Sequence, residues 1–161
     1  MNIRKLKTTE TGILENLQYE AIFIPEGVEP PPFEVIYRPE IAVYYKDFGT
    51  KQDDYCLVAE LDGKIVGGVW VRIISGEVKG FGYVDDETPE FAISLFPAYR
   101  KQGIGTKLML AMIDYLRNRG YKKCSLAVQK ANYAVKMYKN VGFEIIGEKE
   151  EEYLMVCKLK Q

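Results

Sequence analysis

The chain contains no histidine. That removes the side chain most often used as a general base near neutral pH, and the commonest metal ligand with it. Acid–base chemistry must then fall to carboxylates, tyrosines, thiols or water. Cysteine is scarce: Cys56, Cys124 and Cys157. The odd count, with each residue inside an apolar stretch of strand character, predicts buried free thiols in a reducing compartment rather than a disulfide framework. The cysteines are expected to stand apart from one another, and no metal site is expected. An excess of one charge is also missing, with 22 basic against 23 acidic residues. A nucleic-acid binder would usually show a basic stripe, and none is visible. No apolar run approaches the roughly 18 residues needed to span a bilayer, and the residues after Met1–Lys5 are polar rather than the apolar core of a signal peptide. These absences predict a cytoplasmic protein with neither a nucleic-acid nor a membrane partner.

What is present is ordinary for a globular chain: 161 residues, 47% hydrophobic and 28% charged, the size of one domain over residues 1–161. A first strand is predicted over 2–7. A helix follows, capped by Thr8 or Thr9, running to about Ile24 and stopped by Pro25. The stretch Pro25–Pro32 reads as a stiff surface loop. A second helix is predicted over 40–48. Strands at 55–61 and 64–74 are joined by Asp62-Gly63, a strong hairpin signal. A short strand is predicted at 79–84 and an acidic turn at 85–88. The alternating segment 90–96 is a strand, ended by Pro97. A long amphipathic helix spans 103–119, with Gly120 as its stop. A buried strand at 123–128, a short helix at 132–140, and two strands at 143–147 and 152–159 paired through the acidic turn 148–151 complete a mixed α/β order without repeats.

The most informative stretch is Glu90–Leu110. A strand ends at a proline, a short loop carries Arg100 and Lys101, and Gly103-x-Gly105 opens a long helix. A helix N-terminus presents unpaired N–H groups and the positive end of a dipole, which together favour phosphate. Glycines let the anion approach the backbone, and Arg100, Lys101 and Lys107 add positive charge. The glycine pair by itself equally fits a tight strand-to-helix turn. The spacing is neither that of a P-loop nor that of a Rossmann fingerprint. The run Pro97-x-Tyr99-Arg100-Lys101-Gln102-Gly103-Ile104-Gly105 resembles the R/Q-x-x-G-x-G/A signature of the GNAT acetyltransferases. The resemblance implies that Arg100, Lys101, Gln102, Gly103, Ile104, Gly105 and Thr106 hold the pyrophosphate of acetyl-CoA as co-substrate. It further implies that the backbone of Ile93, Ser94 and Leu95 carries the pantetheine arm as an added strand, opened by a bulge.

A second stretch, Ala131–Phe143, resembles the family's other coenzyme motif, with Tyr138 followed by Gly142-Phe143. The family's tyrosine sits beside the coenzyme sulfur, so the resemblance implies that Tyr138 donates a proton to the leaving thiolate. A phenol of pKa about 10 can hydrogen-bond to, or protonate, a thiolate whose conjugate acid has a pKa of roughly 8.5. The alternative is a helix residue simply packed on the sheet. The family commonly has asparagine seven positions before this tyrosine. Here that position is Ala131, and Asn132 is one residue late, to cap the helix, contact the coenzyme, or both. Together the two motifs cover about a third of the chain. They imply the GNAT acyltransferase fold, a central mixed and largely antiparallel sheet flanked by about four helices, with a homodimer through the last strands.

The same resemblance implies that Glu90, at the start of the motif's strand, is the base that deprotonates a primary amine, directly or through water. Its alternative is a wet residue at a strand end. Asp85, Asp86 and Glu87 are the other candidates, or a solvated turn. A covalent acyl-cysteine is disfavoured, because strand thiols without a partner base are usually inert. Phe23, Pro25, Glu26 and Phe33, with segment 79–87, are expected to shape the acceptor end. The expected activity is transfer of acetyl from acetyl-CoA to a small-molecule or peptide amine by direct attack in a ternary complex. A non-catalytic acetyl-CoA sensor is the alternative, and a different phosphate-binding domain a more distant one.

Overall fold

The computed structural model describes residues 1–159. Seven strands form one sheet in the order β1-β2-β3-β4-β5-β7-β6, antiparallel throughout except for a parallel β4–β5 step. The strands are β1 Asn2–Lys5, β2 Tyr55–Leu61, β3 Lys64–Arg72, β4 Glu90–Leu95, β5 Lys123–Gln129, β6 Phe143–Lys149 and β7 Glu152–Lys158. Four helices flank them: α1 Ile13–Glu20, α2 Pro39–Ala42, α3 Ile104–Asn118 and α4 Ala134–Asn140. This is the mixed, largely antiparallel sheet with about four helices that the sequence predicts.

Each sheet face is covered by residues of the expected period. On one face α3 buries Ile104, Leu108, Met109, Met112, Ile113 and Leu116 against β-strand residues such as Val69, Phe91, Leu126 and Met155. Spacings of three and four place these side chains on one helical stripe. Burial of each large side chain contributes roughly 1.5–3 kcal/mol. On the other face Leu14 and Leu17 of α1 pack on Val58 and Trp70. The Asp62-Gly63 hairpin takes positive φ at both positions, 50° and 77°, as a two-residue primed turn requires.

Several elements depart from the sequence reading. The first helix is interrupted: a 3-10 turn at Thr8–Glu10 precedes α1, which stops at Glu20. The helix expected over 40–48 closes after Ala42. Its continuation is diverted by Arg72, whose guanidinium takes the carbonyls of Val43 (3.0 Å), Lys46 (2.7 Å) and Asp47 (3.3 Å). Arg72 is itself paired with Asp54 at 2.7 Å, buried on both sides. The segment 79–84 is no strand but a turn, closed by a Tyr83 N–H to Gly80 carbonyl bond of 3.2 Å. The implied bulge is absent from the β3–β4 register, which runs unbroken from Gly67↔Leu95 to Arg72↔Glu90. The sheet opens differently: β4 and β5 pair at Glu90↔Ser125 alone. Two cysteines are neighbours rather than apart, with Cys124 opposite Cys157 across β5–β7. All three are buried and free.

Candidate active site

The divergence of β4 from β5 creates a cavity of about 310 Å³. Alternation decides what faces it. Glu90, Ala92 and Ser94 point to the α1 side, as do their β5 counterparts Ser125, Ala127 and Gln129. Glu152 lies directly opposite Gln129 across β5–β7 and shares that side. Phe91, Ile93 and Leu126 line the cavity from the α3 side. Glu90 and Tyr138, far apart in sequence, therefore line one cavity, together with Asn132 and Ile93.

Glu90 is 4% exposed, so it is not a wet residue at a strand end. Its Oε2 accepts hydrogen bonds from Tyr44 Oη–H and from the Gly82 amide at 2.8 Å. Oε1 is buried without a partner. Burial pushes its pKa up to about 7. The two donors oppose that rise, because they stabilise the ionised form. Gln18 of α1 also lines the cavity, and its carboxamide oxygen is likewise buried and unpaired. No lysine or arginine is among the lining residues. Tyr138 is buried in α4, and desolvation pushes its phenol well above the ordinary tyrosine range. It stays protonated and able to donate. Asn132 accepts the Ala134 amide at 2.9 Å, closing the first turn of α4 from the rim of the cavity.

The loop 100–106 lies at the other end of β4. Gly103 enters α3 with φ +85°, a conformation that suits glycine. The helix start has neither a side-chain cap nor an acidic residue in its first turn. Its first paired amide is Lys107, bonded to the Gly103 carbonyl at 3.3 Å. Gly105 is buried against Met137, where an added Cβ would meet the thioether at 3.3 Å. Lys101 stands over the Tyr133 ring, Nζ 5.0 Å from its centroid, and Gln102 bonds back to the Ala98 carbonyl. Arg100 turns away from the helix start. Its guanidinium reaches the Leu95 carbonyl (3.0 Å) and the carboxylate of Glu20 (3.0 Å), tying the loop to the end of α1. Ser94 is buried, with Oγ donating to the Leu17 carbonyl at 2.6 Å. These features fit a coenzyme diphosphate: unmatched amides, a positive dipole end, nearby lysines and an open β4 edge.

Of the expected acceptor residues, Phe23 lines the cavity. Glu26 is exposed in the 25–30 loop. Phe33 packs on Tyr19, centroids 5.3 Å apart. Asp85 is satisfied locally by the Glu87 amide and Thr88 hydroxyl and paired with Lys123, and Asp86 accepts from Tyr83. Tyr44, Gln18 and Glu152 carry no sequence signal; only the fold brings them to the cavity. No group of three or more candidate metal ligands occurs among the described residues. No helix there is long and apolar enough to cross a membrane.

The chain is 38% identical over 110 residues to a probable N-acetyltransferase, camello, of Xenopus tropicalis, covering 66% of this chain and 46% of that protein. It thus spans less than half the length of that relative. It is 32% identical over 121 residues to a thialysine N-epsilon-acetyltransferase of Mus musculus, covering 69% and 68%. In fold it is similar to the PaiA N-acetyltransferase of Thermoplasma acidophilum in complex with coenzyme A, with a TM-score of 0.70 at 22% identity over 98% of both chains. The family model for acetyltransferases of the GNAT type matches residues 21–143, most of the length, and the chain belongs to that family.

Proposed function

We propose that residues 1–161 act as one catalytic domain that transfers an acetyl group from acetyl-CoA to a primary amine, by direct attack in a ternary complex. The carrying observation is the cavity between β4 and β5. It holds a buried carboxyl and a buried phenol, its unmatched polar atoms at Gln18 and Glu90 are both acceptors, and no cationic side chain lines it. Buried acceptors left unmatched suit a ligand rich in N–H groups.

Acetyl-CoA supplies a thioester whose leaving group is a thiolate. The uncapped start of α3, with Lys101 and Lys107 beside it, holds the diphosphate, and the open edge of β4 at Ile93–Leu95 orients the arm toward the cavity. An amine resembling lysine is mostly protonated at pH 7. Glu90 takes that proton; a carboxylate held near neutrality is a far better base than an ordinary one. Gln18 accepts a hydrogen bond from the nitrogen, and Phe23 closes the acceptor side. Tyr138 donates its phenolic proton toward the departing sulfur. Burial of all three thiols disfavours an acyl-cysteine route.

The test is thiol release from acetyl-CoA, read with a disulfide dye, across a panel of amines, for the native chain, Glu90→Gln and Tyr138→Phe. The expected result is acceptor-dependent release that falls at least tenfold in each variant. Tight coenzyme binding by calorimetry without release for any amine would make the chain an acetyl-CoA sensor instead. Loss of coenzyme binding altogether would remove the whole reading.

A further inference from the structure

Tyr44 sits just beyond α2, 8% exposed, at the floor of the cavity. Its hydroxyl receives the Phe81 amide at 2.7 Å and donates to Glu90 Oε2. The ring stacks on Phe81, centroids 6.4 Å apart and planes 15° from parallel. Residues Gly80–Gly82 close directly over the carboxyl. A Cβ on Gly80 would lie 2.0 Å from Oε1, and one on Gly82 would lie 3.0 Å from Oε2 and 2.8 Å from the Leu126 carbonyl carbon. Ser125 Oγ holds this turn through the Gly82 carbonyl at 2.7 Å.

Charged neighbours leave this arrangement in control. Arg72 is in register with Glu90 across β3–β4, but its guanidinium is spent on Asp54 and on the carbonyls of Val43 and Lys46, which flank Tyr44. It therefore fixes the backbone that carries Tyr44. Glu152, the other carboxylate of the cavity, raises the proton affinity of Glu90. Lys149, opposite Glu152 across β6–β7, partly offsets that second charge.

We propose that Tyr44 is a positioning residue for acetyl transfer: its hydroxyl, fixed by the Phe81 amide, orients Glu90 and stabilises its ionised form. The inference rests on the reading of Glu90 as the base. Two donors converge on Oε2 and leave Oε1 as the unmatched acceptor that takes up a proton. Removing one donor disfavours the carboxylate, because burial then acts against fewer stabilising bonds.

The experiment pairs two readouts. The pH dependence of kcat/KM is measured for the native chain, Tyr44→Phe and Glu90→Gln. The Glu90 carboxyl is titrated by 13C NMR in the free protein, assigned by its disappearance in Glu90→Gln. In Tyr44→Phe both the activity limb and the NMR titration are expected to move up by at least one pH unit, with KM for acetyl-CoA unchanged within threefold. Site-specific 3-fluorotyrosine at position 44, a stronger donor that keeps the ring contacts, is expected to move both downward, and it decides the matter should Tyr44→Phe fail to fold. An NMR titration unmoved by either replacement overturns the proposal. Full activity in Glu90→Gln would remove the base instead, while the NMR titration still decides whether Tyr44 governs the carboxyl.

Discussion

At Glu90 burial and hydrogen bonding pull in opposite directions, and the balance has a thermodynamic consequence. The folded chain holds this carboxyl's proton up to about pH 7, against an ordinary value of 4.5. Between those values the folded state binds more protons than the unfolded state, so stability falls as pH rises. The contribution is full below about 4.5 and lost above about 7. At about 1.4 kcal/mol per pH unit, the difference is about 3 kcal/mol. Glu90→Gln should abolish this slope, leaving the variant more stable than the native chain at pH 8 and no more so at pH 4, by urea denaturation. Equal slopes in both proteins would show that Glu90 does not titrate there. Glu90 and Tyr138 were legible as candidates because each stands in a motif with fixed local spacing. Tyr44 was not. Its partner lies 46 positions away, and a tyrosine in an amphipathic stretch looks the same whether it meets core or carboxylate.

Among the elements, the start of α3 carries the sharpest expectation. Gly103 at φ +85° has open space where a Cβ would go, so only conformation opposes substitution. Gly103→Ala should cost about 1–2 kcal/mol of stability. It should also weaken acetyl-CoA binding about tenfold by calorimetry, since a helix start that is displaced no longer aims its amides. Unchanged affinity would place the diphosphate elsewhere. The strands and α3 were readable because their period is written locally: alternation in 90–96, a three-four stripe in 104–116. The helix expected over 40–48 was not, because a buried arginine from β3 competes for its carbonyls. The 79–84 turn is illegible in the sequence for a related reason. Its glycines serve a close approach to Glu90 and β5, which no local pattern announces.

For the whole molecule, the sheet is two blocks sharing a seam. Strands β1–β4 are joined by antiparallel ladders with one register shift, at Ala59/Glu60, and β5–β7 likewise with one at Ile145/Gly147. A single register pair links the blocks, while α3 packs on β2, β3 and β4. The hydrogen-bonded backbone is therefore nearly cut in two where the chemistry is proposed. Amide hydrogen exchange should register that cut as two cooperative units. In the free protein, amides of β5 and β7 are expected to exchange together, at an opening free energy lower than that of β2 and β3. One common value across all strands would mean that the side chains under α3 weld the blocks more firmly than the ladder does. A sheet divided this way keeps its cleft open between two separately laddered halves, along the line that a ligand strand would close.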